Sequence, residues 1–203
     1  MWDGNDQPDD EAENADGGFL AVVAGTGVIG VIAIGLAFLL KVPLAPQWAF
    51  TFDAIARGII ATAPLGLGLY WFMQSDIPAV AELREGQIDF FINSGFRFTP
   101  PRIAAMAVAA GLCEELLFRG VAQTWLTSFM PVAAAIILSN IVFGLLHFRT
   151  ALYAAIAGGV GVYFGVLFAI TDNLLAPMIA HGLYDALALE YARRAMAARA
   201  PST

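Results

Sequence analysis

Long apolar runs separated by short polar stretches dominate the pattern of this chain. Six of them approach the length of about 20 apolar residues that a helix needs to cross a bilayer. The third and the sixth run contain charged residues, yet neither makes sense as a soluble helix between such apolar neighbours. The predicted spans are 18–40, 54–73, 103–125, 129–148, 151–170 and 174–191.

The segment 75–102, between the second and the third run, is too long for a turn. Its mixture of apolar and charged positions predicts an amphipathic stretch that lies on the membrane surface. Pro100 and Pro101 then force an extended backbone before the third helix starts. We therefore expect an all-α, polytopic transmembrane helix bundle of about six spans, with a surface amphipathic stretch before the third.

The two ends of the chain differ from this core. Residues 1–17 are acidic and lack apolar periodicity, which predicts a disordered tail. Together with the long first apolar run, this acidic start favours a retained span over a removed signal peptide. We expect one membrane domain at 18–192, with its motif-bearing core at 103–189, and a cytoplasmic tail at 193–203.

Composition agrees with a membrane protein. The chain is 59% hydrophobic and 13% charged, whereas soluble domains carry about 25% charged residues. Seven of its 17 acidic residues lie in the first 17 positions, so the net charge of −7 belongs to the tail. The remainder is balanced, and nothing in it indicates a nucleic-acid partner.

Basic residues predict the orientation. With six spans, both termini and the loops after spans two and four lie on one side of the membrane, and the opposite side holds Lys41. The positive-inside rule therefore places both termini in the cytoplasm. The arginines on that side are Arg84, Arg97, Arg102, Arg149, Arg193, Arg194 and Arg199.

Two adjacent carboxylates, Glu114 and Glu115, interrupt the third apolar run. Each ionisable group at that depth costs about 2.5 kcal/mol or more on insertion. The two histidines of the chain, His147 and His181, also fall in apolar runs. The chain has few ionisable residues, yet four of them lie where burial is costly. This predicts a buried catalytic centre, because carboxylates and imidazoles exchange protons with water.

Helical spacing assigns partners to these groups. Glu115 and Arg119 are four residues apart on one helix face, so we expect an ion pair. Glu114 is about 100° around the helix from its neighbour, which lets it face the site while the pair supports it. Asp185 follows His181 by one turn and is expected to accept a hydrogen bond from it, which would fix the tautomer of the ring.

The chemistry leaves two mechanisms open. Glu114, His147 and His181 have the ligand types of a two-histidine, one-carboxylate zinc site, although the HExxH spacing of many zinc peptidases is missing. In the metal-free alternative, Glu114 and His147 orient a water molecule directly.

Two further features also have two interpretations. Cys113, the single cysteine, is either a small packing residue between helices, which we favour, or a nucleophile. Ala157, Gly161 and Gly165 form a ridge at four-residue spacing. That ridge is typical of close helix packing, within the bundle or between two copies of the chain.

Three motifs occur in order: Glu114-Glu115-x-x-x-Arg119, then Phe143-x-x-x-His147, then His181-x-x-x-Asp185. They resemble the motifs of the CPBP family (CAAX protease and bacteriocin-processing proteins), which are intramembrane proteases related to the type II CAAX prenyl endopeptidases. The resemblance covers about 103–189.

The resemblance implies a role for each motif residue. Glu114 would activate the water, His147 would help to bind it, and His181 would lie on the oxyanion side. Glu115 and Arg119 would be the supporting pair. Asp185 occupies a position that is often asparagine in the family; because an ionised aspartate can only accept hydrogen bonds, orientation of His181 suits it better than an oxyanion contact.

The resemblance therefore implies an intramembrane endopeptidase of a bacterial inner membrane. Its substrate would be a membrane-embedded or lipid-anchored peptide or protein in the lipid bilayer, with zinc as the candidate divalent metal. The alternatives are a non-catalytic membrane interaction or immunity protein on the same scaffold, and a proton- or metal-coupled transporter. The sequence lacks the paired broken helices and inverted repeats typical of transporters.

Overall fold

The computed structural model describes residues 7–199, which form seven helices and no strand. The fourth helix, Pro100–Glu115, continues without a break into a π-helical stretch, Leu116–Gln123, and a last α-helical turn, Thr124–Leu126. The prediction of an all-α protein is thus confirmed. The helices are α1 (Gln7–Leu39), α2 (Phe52–Gln74), α3 (Pro78–Asn93), α4 (Pro100–Glu115), α5 (Val132–Leu146), α6 (Ala151–Thr171) and α7 (Leu175–Arg199).

Three helical segments within residues 7–199 are long and apolar enough to cross a membrane: Gly17–Leu39 of α1, and the whole of α2 and α6. Helix α5 is apolar but has only 15 residues. Helices α4 and α7 contain the charged motif residues, which lower their mean hydropathy. Helices occupy all six predicted regions, but the count of six spans is not confirmed.

The ends of the chain contain more helix than the sequence predicts. Helix α1 begins at Gln7, so residues 7–17 of the expected disordered tail are helical, and residues 1–6 lie outside the described residues. Alanine and glutamate favour helices, and acidic residue types are favourable near a helix N-terminus. Likewise α7 extends to Arg199, which includes 193–199 of the expected C-terminal tail; the rest of that tail is not described.

Glycines let the helices around the site touch through their main chains. A Cβ atom on Gly111 of α4 would lie only 2.7 Å from the carbonyl oxygen of Met178 and 2.9 Å from the amide nitrogen of Gly182, both on α7. A Cβ atom on Gly144 of α5 would lie 2.6 Å from the carbonyl oxygen of Ala154 on α6. No larger residue fits at these two crossings, which is typical of closely packed membrane helices.

Helix α3 is the predicted amphipathic stretch, and its apolar face packs on the bundle. Arg149 holds its outer face, since its guanidinium donates to Gln87 and lies 4.0 Å above the ring of Phe90. Arg199 at the end of α7 also reaches it, with a contact of 2.9 Å to Asp89. The buried apolar residues of α3 are Val80, Leu83 and Ile88.

Candidate active site

One cavity of about 590 Å³ contains the polar residues that the sequence singles out. Glu114 reaches it from α4, and His147 from the end of α5. His181 and Asp185 reach it from α7, on which they are one turn apart. Residues separated by as many as 71 positions are therefore brought together, as a single site requires.

Glu114 and His147 face each other in this cavity. The Nε2 atom of His147 lies 3.8 Å from the Oε2 atom of Glu114, and both side chains are partly exposed. The Nδ1 atom lies 2.8 Å from the carbonyl oxygen of Phe143 and donates to it. That bond leaves Nε2 as the acceptor nitrogen. The ring of Phe143 packs against the imidazole, with 4.3 Å between the ring centroids.

Glu115 and Arg119 form an ion pair with no exposed side-chain surface. The Nη1 atom of Arg119 donates to Oε1 of Glu115 over 2.9 Å. Its Nη2 atom donates to Oδ1 of Asn140 over 2.8 Å and to the carbonyl oxygen of Gly161 over 2.5 Å. The predicted pair is confirmed, and three acceptors fix the plane of the guanidinium group.

Glu115 also orients His181. The Nδ1 atom of His181 donates to Oε1 of Glu115 over 2.7 Å, while its Nε2 atom lies 3.5 Å from Oδ2 of Asp185. The ring stacks on Phe164, with 4.9 Å between the ring centroids. We expected Asp185 to fix this ring, but the shorter contact comes from Glu115, because the close crossing of α4 and α7 brings that carboxylate within hydrogen-bonding distance of Nδ1.

Sequence reasoning missed two of the groups that hold Arg119. Asn140 is 1% exposed and lies on α5, and Gly161 lies on α6. A Cβ atom on Gly161 would sit 3.1 Å from Nη2 of Arg119, so the glycine leaves room for the guanidinium group. In the sequence, the only signal for this role was the place of Gly161 in the small-residue ridge. The structure explains that ridge by helix packing within the bundle.

Cys113 packs away from the cavity. Its Sγ atom lies against α1, where a Cβ atom on Gly30 would be only 2.9 Å from the sulfur. The thiol is absent from the described residues that line the cavity. These contacts favour the packing interpretation over a nucleophile.

The expected zinc ligands do not fit a metal ion as they are arranged. Among the side chains that the structure describes, residues 17–199, no group of three or more His, Cys, Asp or Glu is placed to hold one. A zinc ligand must direct a nitrogen lone pair at the metal, but His181 directs Nδ1 at Glu115 and Nε2 towards Asp185.

Comparison with protein families gives a match over residues 96–187, to the family described as type II CAAX prenyl endopeptidase Rce1-like. The matched segment contains all three motifs, from Glu114 to Asp185. It confirms the family resemblance drawn from those motifs. Neither the curated proteins nor the solved structures give a match.

Proposed function

We propose that this chain, whose residues 96–187 match the Rce1-like family of type II CAAX prenyl endopeptidases, is an intramembrane endopeptidase. It would hydrolyse a peptide bond in a membrane-associated or lipid-anchored substrate. The observation that carries the proposal is the pairing of Glu114 with His147, 3.8 Å apart in a cavity inside a bundle of apolar helices. That family is one of proteases, and the apolar helices together with the family match indicate an integral membrane protein.

The proposed reaction uses water as the nucleophile. Glu114 accepts a proton from a water molecule that also donates a hydrogen bond to Nε2 of His147. The water oxygen bonds to the carbonyl carbon of the substrate, and the π electron pair moves onto the carbonyl oxygen. When this intermediate collapses, the carbon–nitrogen bond breaks and the proton passes from Glu114 to the leaving nitrogen. The products are a carboxyl group and an amine.

The buried residues would support this reaction by position and charge. Glu115 and Arg119 form a buried ion pair beside the site, and Glu115 orients the ring of His181 by accepting a hydrogen bond from Nδ1. A proton on His181 would attract the developing oxyanion through space, since preorganised charge stabilises a transition state in a site with little water.

The protein would lie in a bacterial inner membrane with both termini in the cytoplasm. The residues that line the cavity include Arg84 and Gln87 of α3, which lie in the segment that the arginine distribution places on the cytoplasmic side. Reporter fusions at the two termini test this orientation, and a periplasmic signal from either terminus would refute it.

Comparison of membrane proteomes tests the function itself. Cells that express the wild-type chain should contain new protein termini that are missing from cells expressing Glu114→Ala at the same level. Their sequences would also define the substrate. Identical termini in both strains would favour the non-catalytic interaction protein.

Changes at Asp185 should separate orientation from oxyanion binding. Asp185→Asn should keep most of the activity, because the amide oxygen can still accept a hydrogen bond from Nε2 of His181. Asp185→Leu should lower kcat by about tenfold, which corresponds to about 1.4 kcal/mol. Turnover of an internally quenched peptide in detergent micelles measures both. Normal turnover in Asp185→Leu would remove Asp185 from the mechanism, and a clear gain in Asp185→Asn would assign it to the oxyanion.

Metal removal should leave the activity unchanged. This expectation follows from the described side chains, in which His181 directs its ring nitrogens at Glu115 and Asp185. The experiment is incubation with a strong chelator, removal of the chelator, a turnover assay and elemental analysis of the purified protein. A loss of activity that added zinc restores would instead support a zinc peptidase.

A further inference from the structure

His147 is the first residue of the link between α5 and α6, residues 147–150. Helix α5 ends at Leu146, and the backbone of His147 already departs from helical angles, with a φ of −93° and a ψ of 13°. The three residues that follow are exposed. Helix ends and exposed links open locally more easily than helix interiors. How well the ring of His147 stays opposite Glu114 therefore depends on how this link is held.

Two side-chain hydrogen bonds hold the ends of the link to the helices that it joins. The Nδ1 atom of His147 donates to the carbonyl oxygen of Phe143 over 2.8 Å. At the other end, the hydroxyl oxygen of Thr150 accepts from the amide nitrogen of Tyr153 over 3.1 Å. Both bonds stay within one helical turn of the link, so neither fixes it relative to the rest of the bundle.

Arg149 makes the contact that does. Its guanidinium group donates to Oε1 of Gln87 on α3 and lies 4.0 Å from the ring centroid of Phe90 on the same helix. A guanidinium group within about 6 Å of a ring centroid is attracted to the face of the ring. Among the hydrogen bonds that the structure describes for residues 147–150, this is the one that reaches a helix other than α5 and α6. The link is thus anchored to α3.

Helix α3 is itself a wall of the cavity and is fixed to the bundle at another point. Gln87 lines the cavity that contains the site. Arg84, one turn earlier on α3, donates to the carbonyl oxygens of Met73 and Ser75 at the end of α2, over 3.1 and 3.0 Å. The anchor of Arg149 is therefore a held helix and not a free surface segment.

We propose that Arg149 is a positioning residue, which holds His147 opposite Glu114 by anchoring the link to α3. This assignment rests on the proposed peptidase function. Arg149 is exposed and is not among the described residues that line the cavity, so it acts through the backbone and touches no reacting atom. Without it, the imidazole would drift from the place where Nε2 accepts from the attacking water. Such drift is costly, because a misplacement of about 1 Å can cost about 10²-fold in rate.

Arg149→Leu should lower kcat by about tenfold and leave KM nearly unchanged. The loss stays below about 10²-fold because the bond from Nδ1 to Phe143 still holds the ring in part. Arg149→Lys should recover most of kcat, since an ammonium group can also donate to Gln87 and lie above an aromatic ring. The probe is an internally quenched, farnesylated peptide with a CAAX terminus, cleaved by the full chain in detergent micelles. An increase in KM at unchanged kcat would overturn the positioning role and make Arg149 a binding residue.

Arg199→Leu is the matched control. Arg199 also fastens α3, through Glu85 and through a contact of 2.9 Å with Asp89, but it lies at the end of α7 and not in the link that carries His147. Its kcat should therefore stay close to that of the wild type. Equal losses in Arg199→Leu and Arg149→Leu would overturn the assignment, because the fastening of α3 in general would then explain both.

Phe90→Leu tests the anchor from the side of α3. Phe90 is 50% exposed and is not among the described residues that line the cavity, so its loss acts on Arg149 and not on a bound substrate. It should lower kcat by less than Arg149→Leu does, because the hydrogen bond to Gln87 remains. Since the two groups form one contact, the double variant should lose no more than Arg149→Leu alone. Losses that multiply would show that the two residues act separately and would overturn the anchor.

Chemical modification of His147 separates failure of this assignment from failure of the proposed function. Diethyl pyrocarbonate acylates accessible imidazoles, and the side chain of His147 is 32% exposed, whereas that of His181 is 7% exposed. In Arg149→Leu the acylation of His147, followed by mass spectrometry, should be about threefold faster than in the wild type, the scale of one exposed cation–π contact. The melting temperature should stay close to that of the wild type.

The outcomes divide as follows. If the wild type cleaves the probe and Arg149→Leu matches it, only the assignment of Arg149 is wrong. If the wild type cleaves neither the probe nor proteins of the host membrane, the peptidase function is refuted, and the acylation rate still decides whether Arg149 holds His147 in place. An unchanged acylation rate in Arg149→Leu would overturn the assignment whether or not the chain is a peptidase.

Discussion

Glu114→Gln should abolish peptidase activity and leave the fold intact. Glutamine has the same shape as glutamate, but its amide cannot take a proton from water or return it to the leaving nitrogen. Loss of a general acid–base group costs about 10²–10⁴-fold in rate. The side chain is 14% exposed and faces a cavity, so the substitution buries no new unpaired group. Peptide turnover and thermal unfolding of the purified protein test the two halves of this expectation.

Cys113→Ala is the natural control for this experiment, because the thiol lies next to Glu114 in the sequence. It packs against Gly30 outside the cavity, so activity should be largely unchanged. Loss of activity in Cys113→Ala with a normal melting temperature would revive the thiol as a nucleophile, and a fully active Glu114→Gln would rule out the glutamate mechanism.

Arg119→Leu should destabilise the protein severely. The guanidinium group has no exposed surface and donates to Glu115, Asn140 and Gly161. Removing it breaks a buried ion pair by taking away one partner, which costs about 3–5 kcal/mol. This is a large part of the free energy of unfolding of an ordinary domain, about 5–15 kcal/mol. We expect a low yield of folded protein and a strongly lowered melting temperature in detergent.

Arg194→Leu is the matched control for this loss. Arg194 also pairs with a glutamate four residues away, Glu190, but its side chain is 75% exposed. An exposed pair of this kind contributes about 0–1 kcal/mol, so the melting temperature should hardly change. Equal stability of Arg119→Leu and Arg194→Leu would show that the buried pair does not hold the bundle together.

Local spacing predicted the contacts made within one helix, but not those made between helices. The pair of Glu115 and Arg119 follows from a separation of four residues and is present. Asn140 is 21 residues and Gly161 is 42 residues from Arg119, and such contacts depend on how the helices cross. The same limit applies to His181, whose shortest contact is with Glu115 on another helix rather than with Asp185 on its own.

Hydropathy predicted where helices occur better than where they begin and end. The apolar runs all contain helix, but α1 begins well before its apolar part, since acidic and alanine residues also sustain a helix. The π-helical stretch Leu116–Gln123 has no sequence signature that we could recognise. π-Helical turns are rare and frequently accompany functional sites, and this one follows the two motif glutamates directly.

The main-chain contact of α4 with α7 bears on how precisely the site is assembled. Gly111 and Gly182 meet about one turn from Glu114 and at the residue next to His181. Two helices whose main chains are in contact have little freedom to move relative to each other, whereas helices that touch through long side chains can shift. The distance between the carboxylate of Glu115 on α4 and the imidazole of His181 on α7 is therefore set by the main chains of the two helices. A methyl group at Gly111 would push the two walls apart and misalign the reacting groups, and a misplacement of about 1 Å can cost about 10²-fold in rate. Substitutions of cavity-lining side chains should therefore change the contacts with a substrate without changing this spacing, which the two glycines set.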